Sequence, residues 1–191
     1  MTSQQIQYMI QSGMLFLDKK RKNSHYDAAY TIRYVSLIPA VLSIYFLFKQ
    51  SFANWGSVLI FCFIGTGIFL LVSLLILKVQ EAKLKFISFS THRTKADNYL
   101  LSVEVLQILK WNIGQNSPDF IEAYNPNKDM RTWGNEMISI LLLDNKILLN
   151  SICNLDLMNQ SFLSLGKNEQ NVSKFIDSFK VIAQSNKLQS A

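Results

Sequence analysis

The stretch MISILLLDNKILLNSIC, from Met137 to Cys153, predicts a β-hairpin. Asp144-Asn145 is a two-residue turn signal between two apolar runs, and it pairs Leu143 with Lys146 and Leu142 with Ile147. One face of the hairpin then carries Ile138, Ile140, Leu142, Ile147, Leu149, Ser151 and Cys153. The other face carries Met137, Ser139, Leu141, Leu143, Lys146, Leu148, Asn150 and Ile152.

Both faces of this hairpin are apolar, so we expect both to be covered. The second face has Ser139 and Asn150 in its middle, and its cover must therefore also offer hydrogen bonds. Three covers are compatible with the sequence: the curled sheet itself, a second copy of the chain, or the membrane-proximal neck of the same chain.

Helical and strand patterns surround the hairpin. Thr94 and Asp97 resemble a capping box for a helix that reaches about Leu109, with an apolar stripe of Tyr99, Leu100, Val103, Leu106 and Leu109. A final helix carries Val172, Phe175, Ile176 and Phe179 on one side, with Asn168 near its cap. Trp111 and Ile113, the run 120–124 and the run 161–166 are further strand candidates.

These elements predict an α+β domain over residues 94–184. It would contain a small antiparallel sheet of four or five strands flanked by two helices, with a small β-barrel-like domain as the alternative. Residues 80–93 form a connector, within which 83–90 could continue a helix or begin a strand. Residues 185–191 are expected to be a flexible tail.

Residues 30–79 predict a transmembrane helix hairpin. Val58–Leu77 contains no charge and is long enough to cross the hydrocarbon core of a bilayer. Tyr34–Phe48 is a shorter apolar run that Tyr30 and Ile32 extend, and Arg33 and Lys49 can snorkel to either interface. This apolar segment begins too late for an ordinary signal peptide, so two antiparallel spans are the better interpretation.

The distribution of basic residues predicts the orientation of these spans. The membrane-interface residues are Lys19, Lys20, Arg21, Lys22, Arg33, Lys49, Trp55 and Lys78, and all of the basic ones except Lys49 lie outside the short loop between the spans. Both termini are therefore expected in the cytoplasm, in an integral protein of the bacterial inner membrane. Residues 80–191 are nearly neutral, which disfavours nucleic acid as a partner and favours anionic lipid at the basic neck.

Residues 1–29 form an amphipathic and basic segment. Ile6, Met9, Ile10, Met14 and Leu17 recur near helical spacing before the basic cluster. Two interpretations stay open: a helix lying on the membrane surface, or a helix packing on the protein's own domain.

Residues that carry chemistry are sparse. The sequence has no metal-spaced cysteine set and no P-loop, GxSxG or HExxH motif, so we predict no catalytic residue, no cofactor and no metal site. The polar segment YNPNKDMRTWGNE is the candidate binding loop, and the residues proposed to contact a ligand or partner are Tyr124, Asn125, Asn127, Arg131, Trp133, Asn135 and Glu136. The alternative is a solvated hairpin connection in which Trp133 covers the sheet edge.

TWGNEMISI, residues 132–140, followed by ILLNSICN, residues 147–154, resembles small bacterial membrane proteins in which a helix hairpin precedes a strand-rich cytosolic domain. No activity is assigned to those proteins. The layout is also similar to two-span, strand-rich effectors of bacterial antiphage signalling.

Three functional hypotheses follow. The first is a membrane-anchored, non-enzymatic module whose cytosolic domain binds a ligand or protein, with self-association into a homo-oligomer through the spans or the domain. The second is a membrane enzyme acting on lipid headgroups, with Asp129, Arg131 or Glu136 as candidate groups; it is disfavoured because no paired acid and base lies near a nucleophile. The third is an antiphage effector.

Overall fold

The computed structural model describes residues 1–49, 55–125, 136–153 and 167–189. Its helices and strands are α1 (Ser3–Ser12), α2 (Lys19–Val35), α3 (Leu37–Lys49), α4 (Trp55–Lys83), β1 (Ile87–Ser90), α5 (Lys95–Ile108), β2 (Asn112–Asn116), β3 (Phe120–Asn125), β4 (Glu136–Leu143), β5 (Lys146–Cys153) and α6 (Lys167–Gln189). The chain forms two compact units, one of Met1–Leu17 with Lys83–Ala191 and one of Asp18–Ala82.

The first unit is an α+β domain with a five-stranded antiparallel sheet in the order β1-β5-β4-β3-β2. The predicted hairpin register is confirmed, since Leu143 pairs with Lys146 and Leu142 with Ile147. Asn145 adopts a φ of 63°, which Asn tolerates better than most residues and which the tight turn needs. Because β1 and β2 are the edges of this five-stranded sheet, the sheet is open rather than closed into a barrel.

α5 and α6 cover the first face of the sheet. Thr94 caps α5 as predicted, and its hydroxyl accepts from the backbone N–H of Asp97. The core joins the predicted face of the hairpin to residues on these helices, namely Leu101, Val105, Leu106, Val172, Phe175, Phe179 and Ile182. The predicted stripe on α5 was partly wrong, because Leu101 is buried while its neighbour Leu100 is 64% exposed.

The N-terminal segment packs in the same unit as the sheet, as the second of its two interpretations expects, while Tyr8 and Ile10 of α1 remain exposed. Gly13 ends α1 with a φ of 65°, and the chain then runs beside the connector that follows α4. Leu15 N–H donates to Leu84 O over 2.8 Å, and Phe86 N–H donates to Gly13 O over 2.9 Å. Residues 83–90 therefore end a helix and begin a strand, and residues 13–15 lie alongside them.

The second face of the hairpin is covered in part by this connector. Asn150 lies on that face, and its side-chain N–H₂ group donates to the carbonyls of Lys83 and Lys85 over 2.7 and 2.8 Å. The expectation that the cover offers hydrogen bonds is thus confirmed for Asn150. Buried apolar side chains of the N-terminal segment and connector add to this unit; they are Met9, Leu15, Leu17 and Leu84.

The second unit contains α2, α3 and α4. Only Ser36 separates α2 from α3, and Pro39 explains the break because it has no N–H to donate to the carbonyl of Val35. α2 and α4 run antiparallel, with His25 Nε2 2.8 Å from Gln80 O and Ser73 Oγ donating to Ala29 O over 2.9 Å.

Among the residues described, one helical segment is long and apolar enough to cross a membrane. It is Cys62–Lys83 in α4, with a mean hydropathy of 2.4. Only 6% of this segment is buried inside the structure, whereas the core helix of a water-soluble protein is mostly buried. One predicted span is therefore supported by length and composition.

Candidate functional site

A cluster of buried polar side chains lies where the hairpin strands meet the start of α6. Asn125, at the end of β3, pairs across the sheet with Glu136, which begins β4. Asn171 of α6 joins them: its side-chain N–H₂ group donates to the Glu136 carboxylate, and its Oδ1 accepts from Asn125 over 3.2 Å. Ser151 and Asn168 complete the cluster with longer contacts of 3.5 Å.

The first turn of α6 positions these amide groups. Asn168 and Asn171 are three residues apart, so both project from one side of the helix toward the sheet. The helix N-terminus carries partial positive charge, which favours a carboxylate such as Glu136 nearby. Glu136 is only 5% exposed, and Asn171 is its side-chain partner in the described part of the chain. The helix end and the amide together offset the cost of burying this carboxylate.

The sequence-predicted site residues are only partly brought together. Asn125 and Glu136 are adjacent, whereas Tyr124 points to the opposite face of the sheet, where its hydroxyl donates to Glu122 over 2.5 Å. The remaining predicted members, together with the Asp129 of the enzyme hypothesis, lie outside the described residues; they are Asn127, Arg131, Trp133 and Asn135. The predicted strand over residues 161–166 also lies outside them.

Sequence reasoning missed the contribution of α6 to this site. The sequence pattern predicts Asn168 only as a residue near the cap of the final helix, and it does not assign Asn171 or Ser151 to the site. A usable signal was present, because two asparagines at a spacing of three, next to the apolar stripe of α6, form a polar patch where a core helix begins.

A second polar row crosses the other face of the sheet. Glu122, Ser139 and Asn150 are direct cross-strand neighbours, and they are 5%, 0% and 3% exposed. Asn150 donates to the carbonyls of Lys83 and Lys85, and so joins the centre of the sheet to the connector within the same unit. Within the described residues, Ser139 Oγ and Asn150 Oδ1 have no hydrogen-bond partner. Although Ser139 lies opposite Glu122, its hydroxyl is not hydrogen-bonded to that carboxylate, so the row lacks the bonded pair of nucleophile and base that covalent catalysis uses.

The predicted membrane-interface residues lie at helix ends. Lys19, Lys20, Arg21 and Lys22 form the first turn of α2, which Asp18 caps by accepting from Arg21 N–H over 2.8 Å. Arg33 lies in the last turn of α2 and Lys78 near the end of α4. Lys49 ends α3 and Trp55 begins α4.

In the part of the chain that the structure describes, no group of three or more His, Cys, Asp and Glu side chains could hold a metal ion. Cys62 and Cys153 form no disulfide in that part of the chain. No protein-family model and no curated protein matches the sequence. The cluster around Glu136 consists of amides, one hydroxyl and one carboxylate that are joined by hydrogen bonds.

Proposed function

We propose that this protein is a membrane-anchored, non-enzymatic binding module. A helix hairpin with two spans holds the α+β domain at the membrane surface, and the loop end of the sheet, around Asn125 and Glu136, binds a ligand or protein partner. The observation that carries the proposal is the hydrogen-bonded pairing of Gly13–Leu15 with Leu84–Phe86.

This pairing supports two spans by connectivity. Residues 13–15 and 84–86 must be on the same side of a membrane because their backbones are bonded to each other. If Cys62–Lys83 crosses the bilayer once, the chain between Leu15 and Cys62 must cross it once in the opposite direction. Tyr34–Phe48 is the apolar run in that interval, and the antiparallel contacts between α2 and α4 fit such a hairpin.

The basic residues support a cytoplasmic domain at an anionic membrane. Lys19, Lys20 and Lys22 are exposed in the first turn of α2, where the helix dipole opposes positive charge. Their position is better explained by attraction to anionic headgroups, each worth about 1 kcal/mol near the surface. Positive charge on the domain side of the spans favours a domain on the cytoplasmic side of a bacterial inner membrane.

The cluster around Glu136 supports binding rather than catalysis. Asn125 and Glu136 border residues 126–135, and the amides of Asn168 and Asn171 hold that end of the sheet in a defined arrangement. A rigid element that carries loops with polar side chains is the usual construction of a recognition surface. Self-association through the spans or the domain is part of the same proposal.

The anchoring is tested by cysteine labelling in intact cells. Cys62 and Cys153 are first replaced by serine, and single cysteines are introduced as Ser173→Cys on the exposed side of α6 and Ser51→Cys between the two apolar runs. A membrane-impermeant maleimide should label the Ser51→Cys variant from outside and the Ser173→Cys variant only after lysis. Labelling of both from outside, or release of the protein from membranes by alkaline carbonate, overturns the two-span cytoplasmic module.

A further inference from the structure

A column of basic and tyrosine side chains runs along one side of α2. Its members recur every three or four residues, which places them one above another on the helix; they are Lys19, Lys22, Tyr26, Tyr30 and Arg33. The rings of Tyr26 and Tyr30 have centroids 6.2 Å apart, so this part of the column is contiguous. Ala29 is fully buried and its carbonyl accepts from Ser73, so Ala29 marks the side of α2 that contacts α4. The column lies next to that side of the helix.

The Arg33 end of this column lies beside apolar residues of α4. Ser73 contacts Ala29, so continuing the antiparallel pairing by four residues places Arg33 beside Phe69. The apolar run of α4 extends to Leu77, eight residues further along, which is about 12 Å at the rise of an α-helix. The Cα of Arg33 therefore lies level with the interior of the apolar run of α4. Lys19 and Lys22 lie beyond the Leu77 end of that run.

Arg33 has no counter-charge in the described part of the chain. Neither its guanidinium nor the hydroxyl of Tyr30 has a hydrogen bond or ion pair there, and both side chains are exposed on the helix surface. An unpaired cation at this depth is costly, and arginine in such a position draws a polar group or snorkels toward the interface. Helical side chains lean toward the N-terminus of their helix, so Arg33 leans toward Tyr30 and the domain-side headgroups.

We propose that this column binds the phosphodiester group of a phospholipid, with Arg33 and Tyr30 contacting the phosphate. Arg33 offers the planar pair of N–H donors that suits phosphate, and a tyrosine ring at the interface offers an apolar body with a polar tip. Lys19 and Lys22, further up the same side, favour an anionic headgroup. The proposal rests on the two-span anchor and names the lipid partner of that anchor.

The test uses the full-length protein in a neutral detergent and native mass spectrometry, which resolves each bound lipid. Dioleoylphosphatidylglycerol is titrated into the wild type and into Arg33→Gln, Arg33→Lys and Lys174→Gln. Lys174→Gln is the matched control, because it also removes one positive charge from an exposed helical position, but on α6 of the α+β unit and not among the membrane-interface residues. Dioleoylglycerol, which lacks phosphate, and free inorganic phosphate serve as the other probes.

Arg33→Gln should lower the association constant for the first phosphatidylglycerol about fivefold, which corresponds to about 1 kcal/mol. Arg33→Lys should retain part of the affinity, and Lys174→Gln should change it less than twofold. Dioleoylglycerol should bind all variants equally, and inorganic phosphate should not displace the lipid; displacement would assign the column to free phosphate instead. Equal losses in Arg33→Gln and Lys174→Gln overturn the lipid site. If the wild type itself does not insert into membranes, the proposed two-span anchor is wrong.

Discussion

The side-chain N–H₂ group of Asn171 donates to the buried carboxylate of Glu136, which lies 35 positions earlier in the chain. This bond joins the first turn of α6 to the first residue of β4. Because Asn125 also donates to Asn171, one amide connects both strands that border the candidate binding loop. The orientation of that loop end thus depends on a residue of the C-terminal helix.

Replacing Asn171 by alanine should destabilise the domain by about 1–3 kcal/mol, because it leaves a buried carboxylate without its donor. Chemical unfolding of the detergent-solubilised protein measures this. Asn186→Ala is the matched control, since Asn186 lies on the same helix and contacts Glu104 at an exposed site over 3.5 Å; it should cost less than about 0.5 kcal/mol. In a Glu136→Gln background the effect of Asn171→Ala should shrink, and an unchanged effect would mean that the bond to Glu136 is not its cause.

Ser139 and Asn150 are cross-strand neighbours on the second face, yet only the substitution of Asn150 should lower the stability of the protein. Asn150→Ala removes two hydrogen bonds to the carbonyls of Lys83 and Lys85 and should cost about 1–3 kcal/mol. Ser139→Ala removes a fully buried hydroxyl that has no partner among the described residues, and should leave stability unchanged or raise it. Thermal unfolding of the two variants side by side checks the difference. A clear loss of stability in Ser139→Ala would indicate an internal water at that hydroxyl.

Local patterns predicted β4 and β5 and their register because a hairpin depends on neighbouring residues, whereas they left β1 open between helix and strand. Asp144-Asn145 and the alternating apolar residues define the hairpin without reference to the rest of the chain. The buried side of α5 was harder to predict, since Leu100 and Leu101 are adjacent and only the position of the sheet decides which one is buried. The partners of Glu136 and of residues 13–15 lie far away in sequence, so no local periodicity could predict them.

Gly114 is predicted to be essential for the position of Tyr124 on the neighbouring strand. A Cβ at Gly114 would lie 2.3 Å from Cε2 of the Tyr124 ring, so Gly114→Ala must displace the ring and disturb its bond to Glu122. Overpacking of this kind costs about 1–3 kcal/mol, which denaturant unfolding can measure. In a Tyr124→Ala background the same substitution should cost little. Equal costs in the two backgrounds would assign the effect to the backbone of β2 rather than to the ring.

The second face of the Met137–Cys153 hairpin should not tolerate charge. Leu141 is fully buried and Leu148 is 8% exposed, and the two are directly opposite each other on β4 and β5. A lysine at either position would place an ammonium group opposite a buried leucine, which cannot neutralise its charge. The substitution would also lose the roughly 1.5–3 kcal/mol that a buried leucine contributes. Each of Leu141→Lys and Leu148→Lys should therefore destabilise the protein by several kcal/mol.

Lys146→Ala provides the control for these two variants, because Lys146 belongs to the same hairpin face and is exposed at the turn. It should change the free energy of unfolding by less than about 0.5 kcal/mol. The comparison is made by denaturant unfolding of the full chain in detergent, together with its oligomeric state by light scattering. Leu148→Lys should be the milder of the two lysine variants, since its long side chain can reach solvent from a position that is not fully closed. If both lysine variants unfold like Lys146→Ala, the second face is open to water and the contact of Asn150 with the connector does not close it.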